Sequence, residues 1–419
     1  MDGKYYVCTG CALLCDDIEI ECDGNGISRV NSACRKGVAR MKGCQNPLTC
    51  SISDREADID ATIKEAANIL KNADNPLIFG LGNSTIEAQK KAIELARKVH
   101  AYIDDTSSFC QGPVIEAILN ERIRSCTLDE VRHQADVIVY WGADPANSHP
   151  RHLSKYSYFP RGKERQRGWE EDRTAIVIDV RHSDTAEICK DHFYQIPPQA
   201  DRELIDALTS ALSGKVPKVS FGMGSKKILE LANILKKAQF GTMFVGLGLV
   251  YSLNDLEPLV NLMEKLNEVS NFHLVPMVGR YNMRGADQTM FDETGYINRV
   301  RFDTDSTGAD VIRHGPECSA IELLRSGEVD AALVIGSDPM SSLPRSIAEH
   351  LLHIPVITID PCMTQTSKNA TVTIPCALGG VESGGSAIRM DGVQVKLPTI
   401  LKSDRLPDME IFDRILEVL

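Results

Sequence analysis

The sequence predicts an α/β protein of two related halves, each built on a parallel sheet, behind a small cysteine-rich N-terminal module. Three observations predict it. Strand-like apolar runs alternate with amphipathic helical ones, the pattern of parallel strands joined by helices. A long internal repeat duplicates that pattern. Three of the 13 cysteines fall within the first 15 residues, where periodic apolar runs are few.

The repeat opens at residues 62–82 (TIKEAANILKNADNPLIFGLG) and 227–248 (KILELANILKKAQFGTMFVGLG), which share Ala-Asn-Ile-Leu-Lys and end in Gly-Leu-Gly. Each reads as an amphipathic helix, a short apolar strand and a glycine turn opening another helix. After the first turn, Ser84 and Glu87 have capping-box spacing ahead of a helix through about residue 99. Residues 135–145 then match 329–339, each an apolar strand ending in Gly-x-Asp-Pro. Residues 176–186 match 357–367, each ending a strand in Ile-Asp with a Thr six residues on. Both copies reach an Ile-Pro, at 196–197 and 374–375.

Outside the repeat, residues 151–173 form a strongly charged insertion, read as a solvated loop. Residues 377–396 carry the glycine spacing of a loop leading into a hairpin, and 405–419 read as a short terminal helix. The expected organisation is an N-terminal module at 1–55, a first half at 56–220, a second at 221–380, and a hairpin and helix at 381–419. The halves are expected to interleave in space.

Lys+Arg 46 against Asp+Glu 58 leaves a net charge of −12, which argues against a general nucleic-acid binder. No run of about 18 apolar residues predicts membrane insertion, and the start lacks a signal-peptide layout, so a cytoplasmic protein is expected. An odd cysteine count without a signal peptide makes a disulfide framework unfavourable; clustered cysteines in a reducing compartment more often hold metal.

Cys8-x2-Cys11-x3-Cys15 places three thiols within eight residues, with Cys34 further on, followed by Arg35-Lys36-Gly37. Four thiolates suit zinc or an iron–sulfur cube; three close ligands and one distant one favour [4Fe–4S] over the paired spacing of zinc ribbons. Cys22, Cys44 and Cys50 compete with Cys34 for the fourth place. Cys34 is preferred because a cation two residues on, Lys36, can offset the cluster's charge and is a candidate electron-path residue.

Ligands of open α/β sheets collect at the carboxyl ends of the strands. Gly80-Leu81-Gly82, Gly246-Leu247-Gly248, Gly142-Ala143-Asp144-Pro145 and Gly336-Ser337-Asp338-Pro339 lie at such ends, as do Asp179 and Asp360. An acidic side chain there can accept paired hydrogen bonds from a ribose diol or a guanine edge. The duplication predicts two related nucleotide-bearing ligands. Cys110 stands apart, in a stretch where Gly112 and Pro113 favour a turn. A loop thiol at a sheet's carboxyl edge can bind a ligand or a metal.

Together these pieces resemble the molybdenum and tungsten bis(pyranopterin guanine dinucleotide) oxidoreductases of the formate dehydrogenase superfamily. The cysteine module through Lys36-Gly37 is similar to that family's [4Fe–4S] signature. Gly142-x-Asp144-Pro145 with His149-Pro150-Arg151, and Gly336-x-Asp338-Pro339, are similar to its dinucleotide-binding turns. Cys110-Gln111-Gly112-Pro113, Gly279-Arg280-Tyr281-Asn282 and the stretch 382–392 most resemble the B subunits of formylmethanofuran dehydrogenases.

The resemblance implies a formate dehydrogenase-like fold and a [4Fe–4S] cluster. It also implies W or Mo held by two pyranopterin guanine dinucleotides, a sulfide and Cys110. Arg280 would hold a carboxylate-like substrate, and Arg181, Thr185 and Gly385 would join the cofactor-binding residues. The reaction would be two-electron reduction of CO2 to formate, the first step of methanogenesis from CO2. Electrons would come from a ferredoxin-type donor, and formate would pass to an amidohydrolase subunit. A formate dehydrogenase subunit, or a pterin-free electron-transfer scaffold, are the alternatives. The sequence departs from the formate dehydrogenases at Gln111, where they have His; a proton-shuttle role could fall to His149, His152 or His314 instead. The chain ends soon after residue 396, so a pterin-capping β-barrel is expected on a separate subunit, alongside polyferredoxin or other iron–sulfur subunits.

Overall fold

A computed structural model describes residues 5–23, 26–190 and 192–419. The chain folds as two compact units: Met1–Phe109 with Arg280–Arg389 and Gln394–Leu419, and Cys110–Gly279 with Met390–Val393. Among the described residues no helix is long and apolar enough to cross a membrane.

In the first unit, five parallel strands occupy the middle of a nine-stranded sheet. They run Tyr102–Asp104, Pro76–Gly80, Ala331–Ile335, Val356–Asp360 and Val372–Pro375. The second unit holds a five-stranded parallel sheet: Phe272–Pro276, Gly241–Val245, Val137–Trp141, Thr174–Asp179 and His192–Gln195. The strands next to the middle are buried along their length, as apolar runs covered by helices on both faces must be.

The units do not follow the two copies of the repeat. Pro76–Gly80, from the first copy, pairs with Ala331–Ile335 from the second; Gly241–Val245, from the second, pairs with Val137–Trp141 from the first. Each sheet therefore mixes strands of both copies. The hairpin Gly385–Ile388/Gln394–Leu397 and the terminal helix Asp408–Val418 complete the chain.

Three local expectations change. The helix after Gly82 is Ile86–Lys98, and its N-cap is Thr85, whose hydroxyl accepts from Ala88 N at 3.3 Å; Ser84 lies one residue outside. Glu87 does not close a capping box but accepts from Ser386 N at 2.9 Å. Gly112 and Pro113 open the helix Gly112–Leu119 rather than extending a turn, because proline's fixed φ suits a first helical turn. Cys44 and Cys362 form a disulfide with Cα atoms 5.7 Å apart. Their segments are laid side by side by Leu48 N to Pro361 O (3.2 Å) and Met363 N to Asn46 O (2.8 Å), a pairing across 318 residues that spacing does not reveal.

Candidate active site and cofactor sites

The cysteine module is a tight loop: Cys8 N donates to Cys15 O at 2.8 Å, and Cys8, Cys11 and Cys15 are buried. Cys34 is the N-cap of the helix Arg35–Met41. Gly37 lets the two segments close: a Cβ there would stand 2.9 Å from Cys8 Sγ and 4.0 Å from Cys34 Sγ. Burial pushes the Cys11 thiol up to about 12, and the neighbouring Cys8 and Cys34 raise it further. The competing cysteines are placed otherwise: Cys22 is exposed on a hairpin, Cys44 is in the disulfide, and Cys50 is beside Thr62. Among the described residues no group of three or more His, Cys, Asp or Glu converges as a single metal-ion site. Lys36 is exposed.

At the strand ends of the first unit lies a cleft of about 450 Å³ lined by Arg40, Asn83, Ser84, Gly336, Asp360 and Asp408, among others. Arg40 has no signal in the sequence beyond being the next cation after Lys36. It reaches the cleft because its helix packs across Thr9, whose Oγ1 accepts from Arg40 Nε at 3.2 Å. Its Nη2 donates to Gly379 O at 3.4 Å, and its guanidinium lies 5.5 Å from the centroid of Tyr281. Burial raises Asp360 to about 6, against the Cys362 amide and the Arg40 and Arg280 charges, which pull it down. Asp408 is likewise raised to about 6 by burial, offset in part by Ser84. The aliphatic stem of Arg280 packs over Gly82, where a Cβ would stand 3.2 Å from it.

The Gly-x-Asp-Pro turns of the two units agree in the bonds to Oδ1 and differ at Oδ2, which takes Asn147 and Arg181 in one and Ser341 and Gln365 in the other. Asp144 Oδ1 accepts from Thr185 N (3.2 Å) and Oγ1 (2.7 Å); Asp338 Oδ1 accepts from Thr366 N (2.9 Å) and Oγ1 (2.6 Å). Each threonine hydroxyl in turn accepts a backbone N–H at 3.1 Å, from Ala146 or Met340. Asp179 Oδ1 accepts from Arg181 N (3.2 Å), as Asp360 Oδ1 does from Cys362 N (2.9 Å). Burial would raise Asp144 and Asp338, but these bonds outweigh it and hold both carboxyls below their ordinary value. Asp144 Oδ2 also takes Arg181 Nη2 at 3.2 Å. The two carboxylates thus shape their turns from within. Glycine is needed in the turns themselves: Gly142 and Gly336 have φ of 56° and 53°, and a Cβ on Gly142 would stand 2.4 Å from Leu249 N. A Cβ on Gly246 would lie 2.0 Å from Gly142 O, and one on Gly80 would lie 2.1 Å from Ile335 O. Gly248 packs on Gly142, and Pro145 starts a single helical turn. Gly385 (φ 148°) rests against Thr85 and Glu87, a packing role.

Cys110 is half-buried in the turn before Gly112–Leu119, with Gln111 at the N-cap. Gln111 is fully buried; its Nε2 donates to Val245 O at 3.1 Å, at the end of Gly241–Val245. Its Oε1 is buried with no partner, an acceptor lacking a donor. Burial and the nearby Cys110 raise the Tyr251 phenol. The candidate shuttle histidines are each held by local bonds or packing. Both ring nitrogens of His149 are bonded, to Ser148 Oγ (2.9 Å) and Val278 O (2.8 Å). His152 is buried and held well below its ordinary value, hence neutral. His314 stacks on Tyr296 with centroids 4.2 Å apart.

No protein-family model matches the chain. It is 38% identical to the B subunit of the tungsten-containing formylmethanofuran dehydrogenase 2 of Methanocaldococcus jannaschii, over 97% of this chain and 96% of that protein. It is 34% identical to the protein of the same name from Methanococcus maripaludis, over 99% and 98%. In fold it is similar to a chain of the crystal structure of the formyltransferase/hydrolase complex (FhcABCD) from Methylorubrum extorquens with methylofuran. The TM-score is 0.69 at 22% identity, covering 88% of this chain and 98% of that one.

Proposed function

Because the chain belongs to the family of formylmethanofuran dehydrogenase B subunits, we propose that it is the catalytic subunit of such a dehydrogenase, reducing CO2 to formate with two electrons and one proton. The single observation that carries the reading furthest is the agreement of the two strand-end turns, one in each unit, in the Asp Oδ1–Thr bonds that shape them, which suits two copies of one dinucleotide ligand. The proposed fold is formate dehydrogenase-like, and the proposed location is the cytoplasm.

The donor chemistry fits the implied groups. Cys8, Cys11, Cys15 and Cys34 would hold a [4Fe–4S] cluster, and Cys110 would hold W or Mo beside two pyranopterin guanine dinucleotides and a sulfide. The name shared by the two relatives favours tungsten. When bound, that centre would supply the two-electron chemistry. The chain's own residues do the rest. Gly80, Gly82, Gly142, Gly246, Gly248 and Gly336 let the strand-end turns pack against neighbouring protein atoms, and those turns would present their backbone to a dinucleotide. Asp360 and Asp408 present acceptors to a base edge, and Arg40 a guanidinium to an anionic or carbonyl group. Gln111 fixes the helix start after Cys110 through Val245 O and leaves Oε1 for a donor, such as a protonated substrate group or water. Gln111 orients; it does not titrate near neutral pH. Arg280 would hold the carboxylate by its planar fork. Formate would pass to an amidohydrolase subunit, with a pterin-capping β-barrel subunit and iron–sulfur subunits completing the complex and a ferredoxin-type donor feeding it.

Cys110→Ala tests the reading. In the purified complex the variant is expected to lose W or Mo and at least 99% of CO2-reducing activity while keeping its iron. Full activity would remove Cys110 from the mechanism.

A further inference from the structure

We propose that the segment 151–173 is a docking surface for the acidic face of a partner subunit; this rests on the reading that the chain works within a multisubunit complex. The segment is extended in one copy of the repeat. Between the Asp-Pro turn and the next strand the first copy has residues 146–173, whereas the second copy spans the same step with residues 340–355.

Its charge runs against the chain's. Residues 151–173 carry Arg151, Lys155, Arg161, Lys163, Arg165, Arg167 and Arg173 against Glu164, Glu170, Glu171 and Asp172, a net positive segment on a protein of net charge −12. A solvated loop would hold such cations apart. Here they are fixed together. Gly162 N donates to Arg165 O at 2.8 Å, Glu164 N to His133 O at 3.1 Å, and Arg165 Nε to Gln134 O at 2.9 Å. Gly162 lies so close to the chain beneath that a Cβ would stand 2.1 Å from Arg132 O. Arg173 is buried, and its guanidinium grips the carbonyls of Arg132, Ser157 and Pro160 rather than any carboxylate.

The fixed segment leaves its binding groups outward. Arg161, Lys163 and Arg167 are exposed. Among the described residues Arg161 and Lys163 have no carboxylate partner, and Arg167 meets only the exposed Glu171, at 3.6 Å. Beside them Phe159 (38% exposed) and Trp169 (48%) sit with ring centroids 5.7 Å apart. Exposed Trp with clustered Arg is the composition of an interface centre, where aromatic and guanidinium groups carry most of the binding energy. Fixing like charges around an exposed aromatic pair is unfavourable in the lone chain. An acidic partner face with an apolar spot relieves both costs, and charge complementarity selects it.

Carbodiimide cross-linking of the purified native complex, which joins lysine to carboxylate without a spacer, tests this. Lys163 is expected to link to an Asp or Glu of another subunit. The triple variant Arg161→Glu/Lys163→Glu/Arg167→Glu is expected to reduce co-purification of that subunit at least tenfold with an unchanged melting temperature of this chain. Trp169→Ala, which alters no charge, is expected to weaken the same association. Full assembly of these variants would overturn the surface while leaving the complex reading intact. So would links confined to this chain or to a second copy of it. Binding of a 30-nucleotide duplex that the triple variant abolishes would assign the surface to nucleic acid and overturn the proposal. A chain that purifies without any partner would overturn the complex reading and the surface with it.

Discussion

Asp408 shows how a single residue reports on the cleft of the first unit. Its carboxyl is raised from 3.8 to about 6, by burial first, against bonds from Ser84 and the Met409 amide. The folded state therefore holds its proton more tightly than the unfolded chain does. Its contribution to stability is complete below about pH 4 and is lost as pH rises through 6. Asp408→Asn removes that loss. The variant is expected to be more stable than the parent at pH 8 by roughly 1–3 kcal/mol, and its stability should fall less between pH 4 and 7. Denaturant melts across that range check it; an unchanged slope would contradict a buried, proton-holding Asp408. Asp360, raised to about 6 in the same cleft, contributes with the same sign.

At the scale of elements, the glycine turns are close approaches of backbone to backbone. Gly246→Ala would press a methyl group to 2.0 Å from Gly142 O, a contact that only movement of the two strand ends can relieve. A loss of about 2–4 kcal/mol is expected by thermal or denaturant melting, together with loss of bound guanine nucleotide. Gly224→Ala, with nothing within 4 Å, is expected to change stability by less than about 1 kcal/mol. These turns were legible in the sequence because glycine is kept where nothing else fits, and the threonine six residues past each Ile-Asp proves to be the donor to Asp144 or Asp338. The roles of the two carboxylates were less legible. Asp-Pro at a strand end gives the same sequence signal whether the acid faces a ligand or, as here, its own turn. The cap after Gly82 moved by one residue because Ser84 and Thr85 are both good caps, and the Ser84 side chain is hydrogen-bonded to Asp408 instead.

At the scale of the molecule, the repeat revealed which elements correspond but not which copies pair. That choice lies in contacts such as Pro76–Gly80 with Ala331–Ile335, more than 250 residues apart, and two similar strands offer nearly the same edge to either partner. The same distance hid Arg40 and the Cys44–Cys362 disulfide, while the folded form of the insertion depends on a neighbour 31 residues back. The three buried thiols of the cysteine module are close in sequence, whereas Cys34 comes near Cys8 only across Gly37. On the proposed function, the two matching strand-end turns, one per unit, each serve one dinucleotide, and Cys110 holds W or Mo. The most direct test is the tungsten, molybdenum and acid-released guanine nucleotide content of the purified complex, counted per copy of this chain. About one W or Mo and about two guanine nucleotides are expected; iron without either would contradict a two-dinucleotide metal centre.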